Sequence, residues 1–100
     1  MRYVTLAADY LEPSIRDEVT GSMDATKWNL TPSLLHEVAV WNAEYQKIIP
    51  LDIRDRPSVA GLIDKLDSQG LELARRIGAE LGSSTKVRYY SEGWLKLIEN

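Results

Sequence analysis

Cysteine and phenylalanine are absent from this 100-residue sequence, and histidine occurs once. The absence of cysteine excludes disulfides, thiolate metal sites and a cysteine nucleophile. The sequence also contains no phosphate-binding loop, nucleophile elbow, zinc-protease helix or dinucleotide fingerprint. An enzyme would have to depend on His36, for which Glu37 and Glu44 are the only local carboxylate partners. We therefore predict that His36 is a surface residue, and that the protein has no catalytic residues and no cofactor.

Long apolar runs are missing as well. None approaches the length of a membrane span, and the N-terminus turns polar at Asp9 without a signal-peptide core. We expect one cytoplasmic domain over residues 1–100 that does not associate with membranes. The formal net charge of −3, with basic residues scattered along the chain, disfavours direct binding of nucleic acid.

Acidic residues are concentrated in one segment. Between Asp9 and Thr26 lie five acids and one base, Arg16, which together give a charge of −4. The acids are Asp9, Glu12, Asp17, Glu18 and Asp24. Their irregular spacing does not match an EF-hand loop, so we predict a solvated acidic loop or a protein-binding surface, and no metal site. Tyr10 and Trp28 flank the loop, and aromatic rings that carry a polar atom are enriched at interfaces.

Two stretches have the periodicity of amphipathic helices. Over residues 58–81, apolar residues recur at alternating spacings of four and three, and Gly82 provides a stop. Thr31-Pro32 begins another helix, which we expect to continue to Ile49, just before Pro50. Because the linker over residues 51–56 is short, the two helices should form an antiparallel hairpin.

The longer helix carries a strip of small residues, Gly70, Ala74 and Gly78. Two interpretations are open. A large side chain of the same chain, such as Trp41 or Tyr45, can pack against the strip, or the strip can form a docking groove for a partner.

The rest of the chain contains strand patterns. Residues 3–8 alternate as in a half-buried strand, whereas residues 9–30 lose periodicity and indicate a long connection, in which 15–20 or 26–30 can form a short edge strand. Residues 86–90 and 94–98 alternate around Ser91-Glu92-Gly93, which predicts a hairpin with Gly93 in the left-handed conformation. A terminal helical turn over residues 94–99 is the alternative.

These elements predict an α+β fold of two layers in the order β-α-α-β-β. An antiparallel helical hairpin would cover one face of a small sheet. Since the helical unit connects the first strand to residues 86–90, it favours parallel pairing of those two strands.

Four short patterns carry a resemblance to small bacterial proteins. They are Leu6-Ala7-Ala8-Asp9-Tyr10, Trp41-Asn42-x-x-Tyr45, the stretch from Gly70-Leu71 to Glu80-Leu81-Gly82, and Val87-x-Tyr89-Tyr90. In size and acidity the chain resembles the immunity proteins of contact-dependent and polymorphic toxin systems. This resemblance implies a non-enzymatic protein that binds a cognate toxin domain, often a basic nuclease, and occludes its functional surface, commonly with carboxylates.

Two functional hypotheses follow. The first is neutralisation of a toxin through the segment over residues 9–28. Its expected contact residues are Asp9, Tyr10, Glu12, Asp17, Glu18, Asp24 and Trp28. The alternative is a structural or regulatory module that forms a homodimer through the small-residue strip or an exposed strand edge.

Overall fold

The computed structural model describes residues 2–10, 13–17, 21–23 and 30–98. These residues form five strands, two α-helices and one 3₁₀ turn. The elements are β1 (Arg2–Ala7), β2 (Ser14–Asp17), β3 (Gly21–Met23), α1 (Pro32–Tyr45), the 3₁₀ turn (Arg56–Val59), α2 (Ala60–Leu81), β4 (Thr85–Ser91) and β5 (Lys96–Ile98). The predicted α+β class is therefore confirmed.

The strands form one sheet in the order β3-β2-β1-β4-β5. β1 and β4 pair in parallel, as expected for two strands connected through the helical hairpin, and all other neighbours are antiparallel. The predicted order of elements is retained, with β2 and β3 added between the first strand and the first helix.

Strands replace part of the long connection predicted over residues 9–30, and β2 (Ser14–Asp17) overlaps the short strand over residues 15–20 that was the alternative. β2 pairs with β1 so that Ile15 lies opposite Leu6, and both side chains are buried. β2 is not an edge strand, because β3 lies outside it. The alternative strand over residues 26–30 falls mostly outside the described residues.

Helix α1 begins as predicted and ends earlier. Thr31 caps its N-terminus, with the side-chain oxygen accepting from the Leu34 N–H at 3.4 Å, and Pro32 occupies the first turn. The helix ends at Tyr45 and not at Ile49. The reason is local: the N–H groups that follow, beginning with Gln46, bond to carbonyls three residues back, so a tighter turn replaces the last α-helical turn.

Helix α2 starts two residues later than predicted, because the 3₁₀ turn occupies residues 56–59. Gly82 ends the helix with φ 97°, a left-handed conformation that favours glycine. Leu66, Leu73 and Ile77 are all buried, so the predicted apolar stripe faces the core.

The two helices run antiparallel, as three contacts between them show. The N–H of Thr31, at the start of α1, donates to Glu80 Oε1 near the end of α2 at 2.8 Å. Glu37 pairs with Arg76 at 2.6 Å, and at the other end of α1 the Tyr45 hydroxyl donates to Asp67 at 2.8 Å. Residues of increasing number along α1 therefore contact residues of decreasing number along α2.

The small-residue strip of α2 packs against the chain's own sheet. A Cβ atom at Gly70 would lie 2.6 Å from Cζ and 2.8 Å from Oη of Tyr89, and one at Gly78 would lie 3.5 Å from Val87. The large side chain that occupies the strip is thus Tyr89 of β4, and not Trp41 or Tyr45. At Gly70 and Gly78 the strip is therefore covered by the chain's own sheet.

The C-terminal hairpin is confirmed, since β5 pairs antiparallel with β4. The left-handed residue in its turn is Leu95, at φ 54°, and not Gly93. Glycine is required at 93 for a different reason: a Cβ atom there would lie 2.6 Å from Ile63 Cγ2 and 2.9 Å from the Tyr45 hydroxyl.

Candidate functional site

The sheet presents one face to the helices and leaves the other uncovered by any described element. Side chains alternate along each strand. Val4, Leu6 and Tyr89 therefore point into the core and are buried. The side chains on the opposite face, which we call the open face, are Tyr3, Thr5 and Ala7 of β1, Arg16 of β2, and Lys86, Arg88 and Tyr90 of β4.

A cleft of about 350 Å³ lies where β1 and β4 end. Because these strands are parallel, their C-terminal ends meet at the same edge of the sheet, where α/β proteins commonly bind their ligands. The lining residues of this strand-end cleft are Thr5, Ala7, Ala8, Asp9, Arg16, Tyr90 and Glu92.

Helix α1 fixes the backbone of Asp9 at the rim of the cleft. The Asn42 side chain donates to the Asp9 carbonyl and accepts from the Asp9 N–H, both at 3.0 Å. Gln46 Nε2 donates to the same carbonyl at 2.8 Å. The direction in which the chain leaves β1 is therefore fixed by the side chains of Asn42 in α1 and of Gln46, the residue that follows α1.

This arrangement presents an acid and an aromatic ring to solvent. The Asp9 side chain is exposed, and its Oδ1 accepts from the Tyr10 N–H at 2.7 Å. The Tyr10 side chain is 67% exposed. We call these two residues the Asp9–Tyr10 corner.

Glu92 provides a second carboxylate at the same end of the cleft. Partial burial raises the pKa of Glu92, the Arg56 guanidinium opposes that rise, and the Asp9 carboxylate adds to it. A cation that entered the cleft between Asp9 and Glu92 would favour the charged form of Glu92.

The turn that carries Glu92 is anchored by a buried arginine. Arg56 donates to the carbonyl oxygens of Leu51 at 3.2 Å and of Ile49 and Gly93 at 3.3 Å, and it also donates to the Glu92 carbonyl. Each of these bonds is to the backbone. Arg56 therefore ties the segment between the two α-helices to the β4–β5 turn.

A buried carboxylate forms a second tie between the layers. Asp67 Oδ1 accepts from the hydroxyls of Tyr45 at 2.8 Å and Tyr89 at 2.6 Å, and Oδ2 accepts from Ser91 at 2.7 Å. The Tyr45 hydroxyl also accepts from the Gly93 N–H at 2.8 Å. Burial raises the pKa of Tyr45 to about 12 and that of Tyr89 still further. The hydroxyls thus remain protonated donors, and the side chains of the network are buried, as those of a structural element would be.

The structure describes three of the seven residues expected to contact a partner. Asp9 and Tyr10 are exposed at the corner, whereas Asp17 is 3% exposed and lies opposite Val4 on the covered face of the sheet. Of these two acids, therefore, Asp9 can contribute to an exposed acidic surface and Asp17 cannot. Outside the described residues lie Glu12, Glu18, Asp24 and Trp28.

Sequence reasoning missed Glu92, although a signal for it existed. Ala7 pairs with Tyr90 in the parallel register, so Asp9 and Glu92 each stand two residues beyond the same pair. A parallel pairing of β1 with β4, taken together with that register, would have brought the two carboxylates to one place.

His36 is exposed and lies in a different place, a groove of about 640 Å³ between α1 and α2. Glu37, its neighbour, pairs with Arg76 of α2 at 2.6 Å. Within the described part of the chain, no three histidine, aspartate or glutamate side chains are grouped as metal ligands would be. Neither described helix is both long and apolar enough to cross a bilayer.

Comparison with known proteins gives one family match. The family model described as Serratia CdiI immunity protein-like matches residues 2–92 of the chain. That stretch contains every residue that lines the strand-end cleft. No curated protein matches the chain significantly.

Proposed function

Since this chain belongs to the Serratia CdiI immunity protein-like family, we propose that it binds a cognate toxin domain and neutralises it by covering the toxin's functional surface. The protein would act by binding alone, in the cytoplasm, without catalysing a reaction. Its partner would be a toxin domain with a basic contact surface.

The contact surface that we propose is the Asp9–Tyr10 corner together with the strand-end cleft. The main support is the way in which α1 holds Asp9, because the Asn42 and Gln46 hydrogen bonds fix the corner before a partner arrives. A surface that is already ordered loses less conformational entropy on binding. Glu12, Glu18, Asp24 and Trp28 stay predicted members of this surface.

The chemistry of the corner suits a basic partner. Asp9 and Glu92 place two carboxylates at one end of the cleft, and opposite charge across an interface speeds association and fixes register. Tyr10 supplies a large exposed ring, and tyrosine is enriched among the residues that dominate binding energy.

A growth assay tests the general role. The probe is a candidate toxin domain, taken as the C-terminal domain of a large secreted protein if one is found encoded beside this chain, and it is produced inside bacterial cells with and without the chain. We expect growth arrest with the domain alone and normal growth when both are produced. Continued arrest in the presence of the folded chain would refute neutralisation.

Affinity measurements test the surface. Tyr10→Ala should weaken binding of that toxin domain by about 30-fold, the effect of a loss of about 2 kcal/mol at an interface hot spot. Ile53→Ala is a matched control, since Ile53 is 60% exposed and lies in the interhelical linker. Equal effects of the two substitutions would exclude the Asp9–Tyr10 corner as the contact.

Charge neutralisation tests the electrostatic part. Asp9→Asn keeps an oxygen that can accept from the Tyr10 N–H, and combined with Glu92→Gln it should slow association about tenfold at low salt. Asp55→Asn combined with Asp52→Asn removes the same charge from the exposed linker and should leave the rate nearly unchanged.

A further inference from the structure

The open face carries basic side chains in register across its central strands. Thr5 of β1 lies between Arg16 of β2 and Arg88 of β4, and all three side chains point away from the helices. In the same parallel pairing Lys86 lies opposite Tyr3. Lys86 is exposed, and the Arg88 guanidinium stacks over the Tyr3 ring at 4.7 Å.

The opposite charge lies at the other end of the same face. Asp9 and Glu92 line the strand-end cleft, into which Arg16 also projects. Glu92 stands four residues beyond Arg88 in the chain, a distance of about 13 Å for extended backbone. The face is therefore dipolar along β1 and β4. It is acidic at their C-terminal ends, where Arg16 of β2 partly offsets the two carboxylates, and basic towards their N-terminal ends.

We propose that the toxin partner lies along the open face and carries the reverse dipole, with cations against Asp9 and Glu92 and carboxylates against Arg88 and Lys86. This inference rests on the proposed function and adds a second half to its contact surface. The partner is then a protein with an acidic patch about 13 Å from its basic one, and not a uniformly basic domain.

Two observations favour a protein over nucleic acid on this face. Phosphates attracted to Arg88 and Lys86 would be repelled by Asp9 and Glu92 along the same surface. One face of the Tyr3 ring is covered by the Arg88 guanidinium and is not available to stack a base, which is how aromatic side chains on sheets hold single strands.

The dipole also provides selectivity. A toxin that is basic throughout its contact surface would be attracted by Asp9 and Glu92. It would be repelled by Lys86 and Arg88, because like charges placed opposite one another are unfavourable. A toxin with the reverse dipole would be attracted at both ends. The basic half of the open face would thus reject related toxins that the acidic half alone would accept.

The test measures association of the toxin domain identified by the growth assay with Lys86→Glu and with a matched control, Lys65→Glu. Both lysines are exposed, and both substitutions change the net charge equally. We expect Lys86→Glu to slow association about tenfold at low salt, with the difference shrinking as salt is added, and Lys65→Glu to stay within about twofold of the unmodified chain. Arg88→Gln should act in the same direction.

Three outcomes would overturn the inference. Faster or unchanged association of Lys86→Glu would mean that the partner is uniformly basic or does not reach this half of the face, while binding by the unmodified chain would still support the proposed function. Absence of binding by the unmodified chain would remove the proposed function and this inference together. Binding of a short single-stranded RNA that Lys86→Glu abolishes would identify the face as a nucleic-acid surface.

Discussion

Asn42 in α1 and Asp9 at the end of β1 are joined by two hydrogen bonds, each 3.0 Å long, between the side-chain amide and the backbone N–H and C=O. The amide takes the place that a neighbouring strand would occupy, so the backbone polar groups of Asp9 are satisfied where the strand pairing ends. A buried residue of the helical layer therefore positions an exposed residue of the proposed binding surface.

Replacing Asn42 with alanine should affect both stability and binding. The Asp9 N–H and C=O would lose the bonds that Asn42 makes, and we expect the free energy of unfolding to fall by about 1–3 kcal/mol, measured by urea denaturation. Toxin affinity should fall as well, since the corner would no longer be fixed. Gln69→Ala, which removes an exposed amide from α2, should change neither quantity; a similar loss in that control would contradict the role given to Asn42.

Two glycines of α2 should respond in opposite directions to the same substitution. Gly70→Ala would push a methyl group into the Tyr89 ring, which is buried and held by Asp67, so we expect a loss of about 1–3 kcal/mol. Gly61→Ala meets nothing within 4 Å and should stabilise the protein by about 0.5–1 kcal/mol, because alanine is the better helix former. Thermal unfolding of the two variants measures the contrast, and a stabilised Gly70→Ala variant would show that the strip is not closely packed.

The elements that could be predicted from sequence are those long enough to show a period. The stripe containing Leu66, Leu73 and Ile77 spans six turns of α2, whereas β2 and β3 have four and three residues, too few for alternation to be seen. Glycine posed a separate difficulty. Gly93 looked like a turn residue, but its requirement arises from contact with Ile63 and Tyr45, which are distant in sequence.

The candidate site could be predicted in part for a similar reason. Local features of the sequence, namely acids concentrated in a non-periodic segment flanked by aromatic residues, identified Asp9 and Tyr10. The resemblance to immunity proteins is confirmed by the family match over residues 2–92. The burial of Asp17 and the position of Glu92 depend on strand register, which a pattern of charges does not contain.

Asp67→Asn should destabilise the protein although the side chain keeps its shape. The carboxylate accepts three hydroxyl bonds, and an amide offers one oxygen and two further donors, so at least one buried hydroxyl would face a donor. We expect a loss of about 2–3 kcal/mol, read from the midpoint of guanidinium unfolding. Asp64→Asn is the control on the same helix: Asp64 is exposed and accepts one bond, from the Trp94 indole at 3.1 Å, and its replacement should cost less than about 1 kcal/mol.

Stability should fall in alkaline solution because of the same network. Burial raises the pKa of Tyr45 from 10.0 to about 12 and raises that of Tyr89 further. Below pH 10 the Tyr45 hydroxyl is protonated in both the folded and the unfolded chain, and its contribution to the free energy of unfolding is complete. Between pH 10 and 12 the unfolded chain releases this proton while the folded chain keeps it, so the free energy of unfolding decreases. The absorbance of tyrosinate and the circular dichroism should therefore change together for these two of the five tyrosines. Ionisation of all five in a chain that stays folded would contradict this assignment.

Binding of the toxin domain should strengthen as pH rises through the pKa of Glu92. Burial holds that pKa above 4.5 in the free protein, against the pull of Arg56, so the free chain keeps a proton on Glu92 to higher pH than an unfolded chain would. The contribution of Glu92 to the free energy of unfolding is thus complete at low pH and is lost as pH rises. Binding has the opposite pH dependence, because a cation bound between Asp9 and Glu92 favours the carboxylate. Forming the complex therefore releases the proton, and affinity increases with pH. Calorimetry in two buffers of different ionisation enthalpy measures the proton released. In Glu92→Gln the release should shrink and the pH dependence flatten, and an unaltered profile in that variant would place the cation elsewhere on the surface.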